Sequence, residues 1–392
     1  MRKRRIVRFI LGLLLLLVLL SACSADESDN FPQGDEYDGN TIDQESLSSE
    51  VTQYIKEVMT EDGLPGAAVA VVHGDEIVFA EGFGLRDVAN NLPVTRETLF
   101  HIGSMNKSFT AMMIATLVDE GLFDWDTPVV EIYPDFALSS EEATRTVTMR
   151  HLLSMESGIP AEAEDGFDVD YASGEDLFEY VKSVPLLDLP GNEFSYSNIS
   201  VSLAGYLGVI ATGDDYSDLY SGYEQLLRER VLIPIGMKTA VVRVSDAENN
   251  PNYGKSYRVE DGEAVEAERE DFDGDPLAPS GTLKVNVVEM AYYISTQINR
   301  GQAPNGKRVV SESNLVEMWE PGLENYAMGW EVREYEGVTV ISHEGSYDNY
   351  LGVTGFVPEL GMGFVILTNS EEAGERLVKE TPTFLIDLMM EE

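Results

Sequence analysis

Three short strings carry the residue types that acyl-transfer chemistry needs. The first is Ser104-Met105-Asn106-Lys107, the one S-x-x-K string in the chain. In a helix, a spacing of three puts the serine hydroxyl and the lysine amine on one face, within reach of each other. A helix N-terminus there would also favour the negative charge that grows on an attacking oxygen. The second is Tyr196-Ser197-Asn198, which follows the turn signal Pro190-Gly191 and leads into a helix rich in small residues. A loop tyrosine serves as a general base if a cationic neighbour holds its hydroxyl pKa down. The third is His343-Glu344-Gly345-Ser346, after the β-rich run VTVIS. A strand lining a cleft offers a backbone N–H to an oxyanion and a side chain to the substrate. Taken singly, each string has a structural explanation, and Tyr347-Asp348-Asn349 even repeats the Y-x-N pattern. Their order, with gaps of about 90 and 150 residues, is what joins them.

The elements that must position these strings can be read from periodicity and turn chemistry. Ala67–Phe83 predicts a β-hairpin, with His73-Gly74-Asp75 supplying the turn. Tyr326–Val332, Val338–Ser342, Leu351–Val357 and Met362–Thr368 predict four more short strands near the other chain end. Between the two clusters the texture is helical. Ser104–Glu120 puts Met105, Phe109, Met112, Met113 and Thr116 on one side and stops at Gly121, a good C-terminal cap. Leu177–Val184, Ile199–Thr212, Tyr220–Leu232 and Val287–Arg300 also predict helices. The expected fold class is α+β: an antiparallel sheet built from both chain ends with flanking helices, plus an inserted, mostly helical region over about 105–285. Residues 51–392 would form one catalytic domain.

Composition removes several alternatives. The chain has 392 residues with 26 Lys+Arg against 70 Asp+Glu, a net charge of −44. Such a surface repels phosphate backbones, so nucleic-acid binding is excluded as a reading. One cysteine rules out a disulfide framework or a Cys-rich metal site. The four histidines are scattered, and neither HExxH, GxxxxGK[ST] nor GxSxG occurs. Asp124-Trp125-Asp126 reads as a capped turn, Ser154 and Ser157 as structural residues, and Asp271–Asp275 (DFDGD) as an acidic loop rather than a calcium site.

The N-terminus indicates export. Arg2, Lys3, Arg4, Arg5 and Arg8 precede an apolar run from Phe9 to Leu20, the proportions of a secretory signal rather than a membrane span. Leu20-Ser21-Ala22-Cys23 resembles the lipobox of bacterial lipoproteins, which implies a signal peptide over 1–22 and lipidation of Cys23. The mature protein would then be extracytoplasmic and anchored to the cell membrane. Residues 24–50 hold nine acids and no Lys or Arg, so residues 23–50 are expected to be a solvated tether.

Taken together, the three strings resemble those of the serine β-lactamase-like hydrolases: class C β-lactamases, D,D-carboxypeptidases, D-aminopeptidases and family VIII esterases. The resemblance spans roughly residues 50–370. It includes PGAAVAVVHGDEIVFAEGFGLRD, LFHIGSMNKSFTAMMIATLVDEG, HLLSMESGIP, FSYSNISVSLAGYLGVI and YAMGWEV. It implies a β-lactamase/transpeptidase-like fold with the active site between the sheet and the helical region. By position, Ser104 would be the nucleophile. Lys107 would hold the proton network and lower the pKa of Tyr196, which would share the general-base role. Asn198, His343, Gly345 and Ser346 would contact substrate, with backbone N–H groups of Ser104 and Ser346 forming the oxyanion hole. No metal or cofactor is implied. His343 stands where many relatives carry a Lys that meets a substrate carboxylate, and Glu344 adds negative charge beside it. Esters and D-residue peptides are therefore favoured over β-lactams. A protein of the same fold that binds without turnover, such as a cell-wall sensor, is the alternative; oligomeric state is open.

Overall fold

The computed structural model describes residues 44–391; the expected signal peptide, Cys23 and the expected tether up to residue 43 lie outside the described residues. Among the described residues eleven strands occur in chain order: β1 (Gly66–His73), β2 (Glu76–Asp87), β3 (Leu92–Pro93), β4 (Phe100–His101), β5 (Tyr257–Glu260), β6 (Glu263–Glu266), β7 (Lys284–Val285), β8 (Glu331–Tyr335), β9 (Val338–Tyr347), β10 (Tyr350–Val357) and β11 (Met362–Thr368). Seven of them form one antiparallel sheet in the order β3-β2-β1-β11-β10-β9-β8. The two chain ends meet where β1 pairs with β11, from Ala67 opposite Thr368 to His73 opposite Met362.

This sheet is covered on both faces, which explains why Gly66–Val72 reads as an unbroken small and apolar run. Ala67, Val69, Val71, Phe364 and Ile366 face a core shared with the helices Gln44–Asp62 and Glu371–Glu391. Those two helices also pack on each other, with Tyr54 and Phe384 stacked at 4.1 Å. The opposite face meets the helix Val287–Ile298, and a Cβ on Gly363 would fall 2.2 Å from a methyl of Ile294. Glycine at 363 lets that helix seat directly on the sheet.

The helical region separates β4 from β7, which pair His101 with Lys284 and Phe100 with Val285. At its centre, the helix Asn106–Asp119 is enclosed by the helices Asn198–Thr212 and Leu219–Leu227 and by Tyr293, whose ring stacks on Phe109 at 3.7 Å. Every residue from Asn106 to Leu117 is buried.

Several sequence expectations are corrected here. The helix over 104–120 is not amphipathic, because it is the core of the helical region rather than its surface. Ser104 lies in a 3₁₀ turn, Gly103–Met105, just ahead of it. Residues 44–50 are the first turns of a helix, not tether, since Leu47 is drawn into the core at 1% exposure. The strand expected at 326 starts at Glu331; Tyr326–Trp330 turns back on itself through a single bridge from Tyr326 to Glu331. The segment 177–184 splits into a helix, Gly174–Tyr180, and a 3₁₀ turn, Val181–Ser183. The loop DFDGD is not simply a solvated acidic loop: Asp271 and Asp275 are both buried.

Candidate active site

The site is built around the turn that carries Ser104. Gly103 has φ +51°, in the left-handed region, and a Cβ there would fall 2.5 Å from the carbonyl oxygen of Ser346. Gly345 is equally constrained: its Cβ would lie 2.0 Å from Ile102 O and 2.9 Å from Ser104 N. These two glycines let β9 and the serine turn meet backbone to backbone. β8 pairs with β9 only as far as Ser342, so residues 343–347 have no strand partner on that side among the described residues. The free edge of β9 is what lies against Ser104.

Lys107, three residues after Ser104, is the second residue of the helix Asn106–Asp119 and is fully buried. Its Nζ is 2.8 Å from Ser104 Oγ and 3.0 Å from the Ser280 carbonyl oxygen, and it sits 4.9 Å from the centre of the Tyr196 ring. Burial disfavours the ammonium form and brings its pKa down to about 7, although the nearby Glu164 charge acts in the opposite direction. The Tyr196 phenol lies within reach of the Ser104 hydroxyl. Burial raises the phenol above its ordinary value, the Ser104 hydroxyl opposes this, and the charges of Glu331 and Glu164 add to the rise. The net shift at Tyr196 is upward rather than the expected lowering, because burial outweighs what opposes it. In this dry setting the lysine gives up its charge more readily than the phenol acquires one.

Asn198 opens the helix behind Tyr196. Its Nδ2 donates to Glu164 Oε2 at 2.9 Å, while its enclosed Oδ1 has no hydrogen-bond partner among the described residues. Ser104, Asn198 and Ser346 line a cleft of about 200 Å³. His343 does not. It is 3% exposed, and its Nε2 accepts from Tyr326 Oη at 3.0 Å while Nδ1 contacts the Glu344 carbonyl. Strand alternation decides this: Glu344 and Ser346 face outward, so His343 and Gly345 turn inward. Burial first and the Lys107 charge second bring the His343 pKa to about 3, so the ring is neutral behind Tyr196. Assigning His343 to substrate contact is corrected accordingly. Gly345 serves by lacking a side chain.

Other participants were not singled out from the sequence. Glu164, Asp170, Glu270 and Asp275 line the cleft, and among the described residues no Lys or Arg does. Asp275 has its pKa raised to about 6 by burial, against the bonds it accepts from Leu277 N and Tyr347 Oη. Ser280 contributes only a carbonyl, so no residue-type signal could have marked it. Tyr347, the rival Y-x-N tyrosine, lines the cleft but donates to Asp275 at 3.1 Å instead of joining Ser104 and Lys107. Ser157 bonds Ser200 at 2.6 Å, and Asp126 holds Arg150 in a two-pronged ion pair, so both have structural partners.

The Beta-lactamase family matches residues 51–386. This chain belongs to the β-lactamase family. Among family relatives, it is 28% identical over 326 residues to penicillin-binding protein 4 of Amycolatopsis lactamdurans, covering 79% of this chain and 82% of that one. It is also 28% identical over 357 residues to an unguisins hydrolase of Aspergillus campestris, covering 85% of this chain but 64% of that longer protein. The octameric penicillin-binding protein homologue from Pyrococcus abyssi superposes with a TM-score of 0.72 at 27% identity, over 86% of this chain and 77% of the other. A class C β-lactamase from Rhodobacter sphaeroides, at 19% identity, shares the fold with a TM-score of 0.69 over 86% of this chain and all of its own. The expected β-lactamase/transpeptidase-like fold is thus the observed one, and the chain is a β-lactamase-family hydrolase by descent.

Proposed function

We propose that this protein is an exported, lipid-anchored serine hydrolase that cleaves a small ester or a D-residue peptide through an acyl-enzyme on Ser104. The observation that carries the reading is the 2.8 Å contact between Ser104 Oγ and a lysine whose pKa is brought to about 7. A neutral Lys107 amine takes the hydroxyl proton as Oγ bonds to the substrate carbonyl carbon. The oxyanion is received by backbone N–H groups of Ser104 and Ser346. The Lys107 ammonium returns its proton, through the Tyr196 phenol, to the departing oxygen or nitrogen as the bond to it breaks. Water then attacks the acyl carbon as Lys107 takes its proton, and the Lys107 ammonium passes that proton to Ser104 Oγ as the acyl C–Oγ bond breaks. A raised phenol pKa suits Tyr196 to passing a proton rather than holding a charge. Asn198 orients the substrate amide or carbonyl.

The cleft's carboxylates weigh against substrates with a free carboxylate, so β-lactams rank below esters and D-peptides. Export and anchoring rest on the basic and apolar N-terminus that ends in Leu20-Ser21-Ala22-Cys23. The test uses the soluble form beginning at Ser24, beside Ser104→Ala, with p-nitrophenyl butyrate. Steady release lost in the variant supports the reading. A single stoichiometric burst with a lasting acyl adduct on Ser104 would favour the non-turnover sensor instead. Anchoring is tested separately: palmitate labelling of the full chain should vanish in Cys23→Ser, and labelling that persists would refute it.

A further inference from the structure

His101, two residues before Gly103, is buried and unused by the chemistry above. Its Nδ1 accepts the Gly103 N–H at 3.2 Å. A ring that accepts at Nδ1 carries its proton on Nε2. That Nε2 lies 3.6 Å from Asp271 Oδ2, with both side chains fully enclosed. Asp271 is in turn ion-paired with Lys284, the cross-strand neighbour of His101, and Lys284 Nζ also donates to Val242 O at 2.9 Å. The pair is charge-balanced, so it can remain ionised in the interior. Burial keeps His101 neutral, with its pKa near 4, which preserves the accepting nitrogen at neutral pH.

We propose that His101 is a positioning residue for the Ser104 centre: its imidazole holds the left-handed peptide at Gly103, and the Asp271 carboxylate, 3.6 Å from Nε2 and beyond hydrogen-bond length, favours by its charge the one tautomer able to do so. Glycine alone does not enforce that conformation, since it moves between positive and negative φ at little cost. The held peptide sets both Ser104 Oγ and Ser104 N–H against β9. The same group reaches the cleft wall. His101 stacks on Tyr347 with ring centres 4.3 Å apart and planes 6° from parallel, and Tyr347 bonds Asp275. Glu270, Phe272 and Asp275 flank Asp271 in one loop and line the cleft. Asp348, next to Tyr347, accepts the N–H groups of Glu270 and Asp271 at 2.9 and 3.0 Å. A substrate seated on this loop therefore bears on the residue that aligns the serine turn, so loss of alignment is expected in kcat rather than KM.

This rests on Ser104 being the nucleophile, and the experiment separates the two ideas. The soluble protein is assayed for p-nitrophenyl butyrate hydrolysis and, by intact mass, for the rate of Ser104 labelling by a fluorophosphonate. His101→Phe keeps a ring against Tyr347 but removes the acceptor. His101→Asn restores an acceptor near the position of Nδ1 without reaching Asp271. The Phe variant is expected to lose about 10- to 100-fold in kcat and in labelling rate, with KM within about twofold, and the Asn variant to recover most of it. Activity within twofold of the parent in the Phe variant, or equal loss in both variants, would overturn the proposal. If His101→Phe does not fold, the charge-neutral pair Asp271→Asn with Lys284→Met is measured instead. It frees the tautomer and is expected to lower kcat similarly; an unchanged kcat overturns the inference. Absence of both hydrolysis and labelling in the parent defeats the serine-hydrolase reading and this inference with it.

Discussion

The pH dependence of acylation follows from where Lys107 sits. At its ordinary pKa of 10.5, about 1 lysine in 3,000 would be neutral at pH 7. With its pKa brought to about 7 by burial, roughly half are neutral there. We expect kcat/KM for p-nitrophenyl butyrate to rise about tenfold per pH unit up to a midpoint near 7 and to level off above it. Asp275, with its pKa near 6, also lines the cleft. The assay is therefore repeated on Asp275→Asn, in which the limb near 7 should persist. Removing the Glu164 charge, which pushes Lys107 upward, should move that limb to lower pH in Glu164→Gln. Lys107→Arg should lose about 10³-fold or more, because a guanidinium stays charged at every working pH. A profile flat from pH 5.5 to 8.5, or one centred near 10, or an active Arg variant, would refute the neutral-amine mechanism.

Other outcomes follow from the same geometry. Lys107→Met should be inactive yet more stable by about 1–3 kcal/mol, read by thermal or urea unfolding, because it removes a buried ionisable group. The linked sign is definite: with the folded pKa below the unfolded one, the unfolded chain binds more protons between about pH 7 and 10.5, so wild-type stability should climb over that window, a climb absent from the Met variant. Tyr196→Phe should lose about 10²–10⁴ in kcat, and if Tyr347→Phe does that damage instead, the choice of tyrosine is wrong. Gly345→Ala sets a Cβ 2.0 Å from Ile102 O; we expect loss of Ser104 labelling together with about 1–3 kcal/mol of stability, and a variant that labels at the parent rate would contradict the backbone-to-backbone contact.

How far the sequence led depends on the range of each interaction. Ser104 and Lys107 are one helical turn apart, so their contact is local and could be read from spacing. The hairpin Ala67–Phe83 and the strands at 351 and 362 could be read because alternation and turn residues are local as well. His343 was misjudged because a strand position does not reveal which face meets the cleft; that depends on β8 ending opposite Ser342. Asp271 and Asp275 were misjudged because acidic composition is the same for a solvated loop and for a carboxylate folded in against Lys284. Lys107's own pKa depends on enclosure by helices 90 residues and more away, and no spacing rule carries that. The C-terminal helix is hidden by Pro382, which sits mid-helix although it breaks most isolated ones.

Cleft charge makes the last prediction and bears on substrate class. Glu164, Asp170, Glu270 and Asp275 surround the approach to Ser104 with no lining cation among the described residues to offset them, and His343 behind Tyr196 is neutral. A substrate carboxylate about 8 Å from one of these groups meets roughly 2 kcal/mol of repulsion at an effective dielectric of 20, and salt screens much of it at that distance. Mono-p-nitrophenyl glutarate and p-nitrophenyl butyrate present similar acyl lengths, one anionic and one neutral. At low ionic strength the anionic ester should show kcat/KM lower by about 10- to 100-fold, and near 1 M salt, where the Debye length is about 3 Å, most of that gap should close. Equal rates at low salt, or preference for the anion, would mean that a cation outside the cleft lining reaches the substrate, and the case against free-carboxylate substrates such as β-lactams would fail with it.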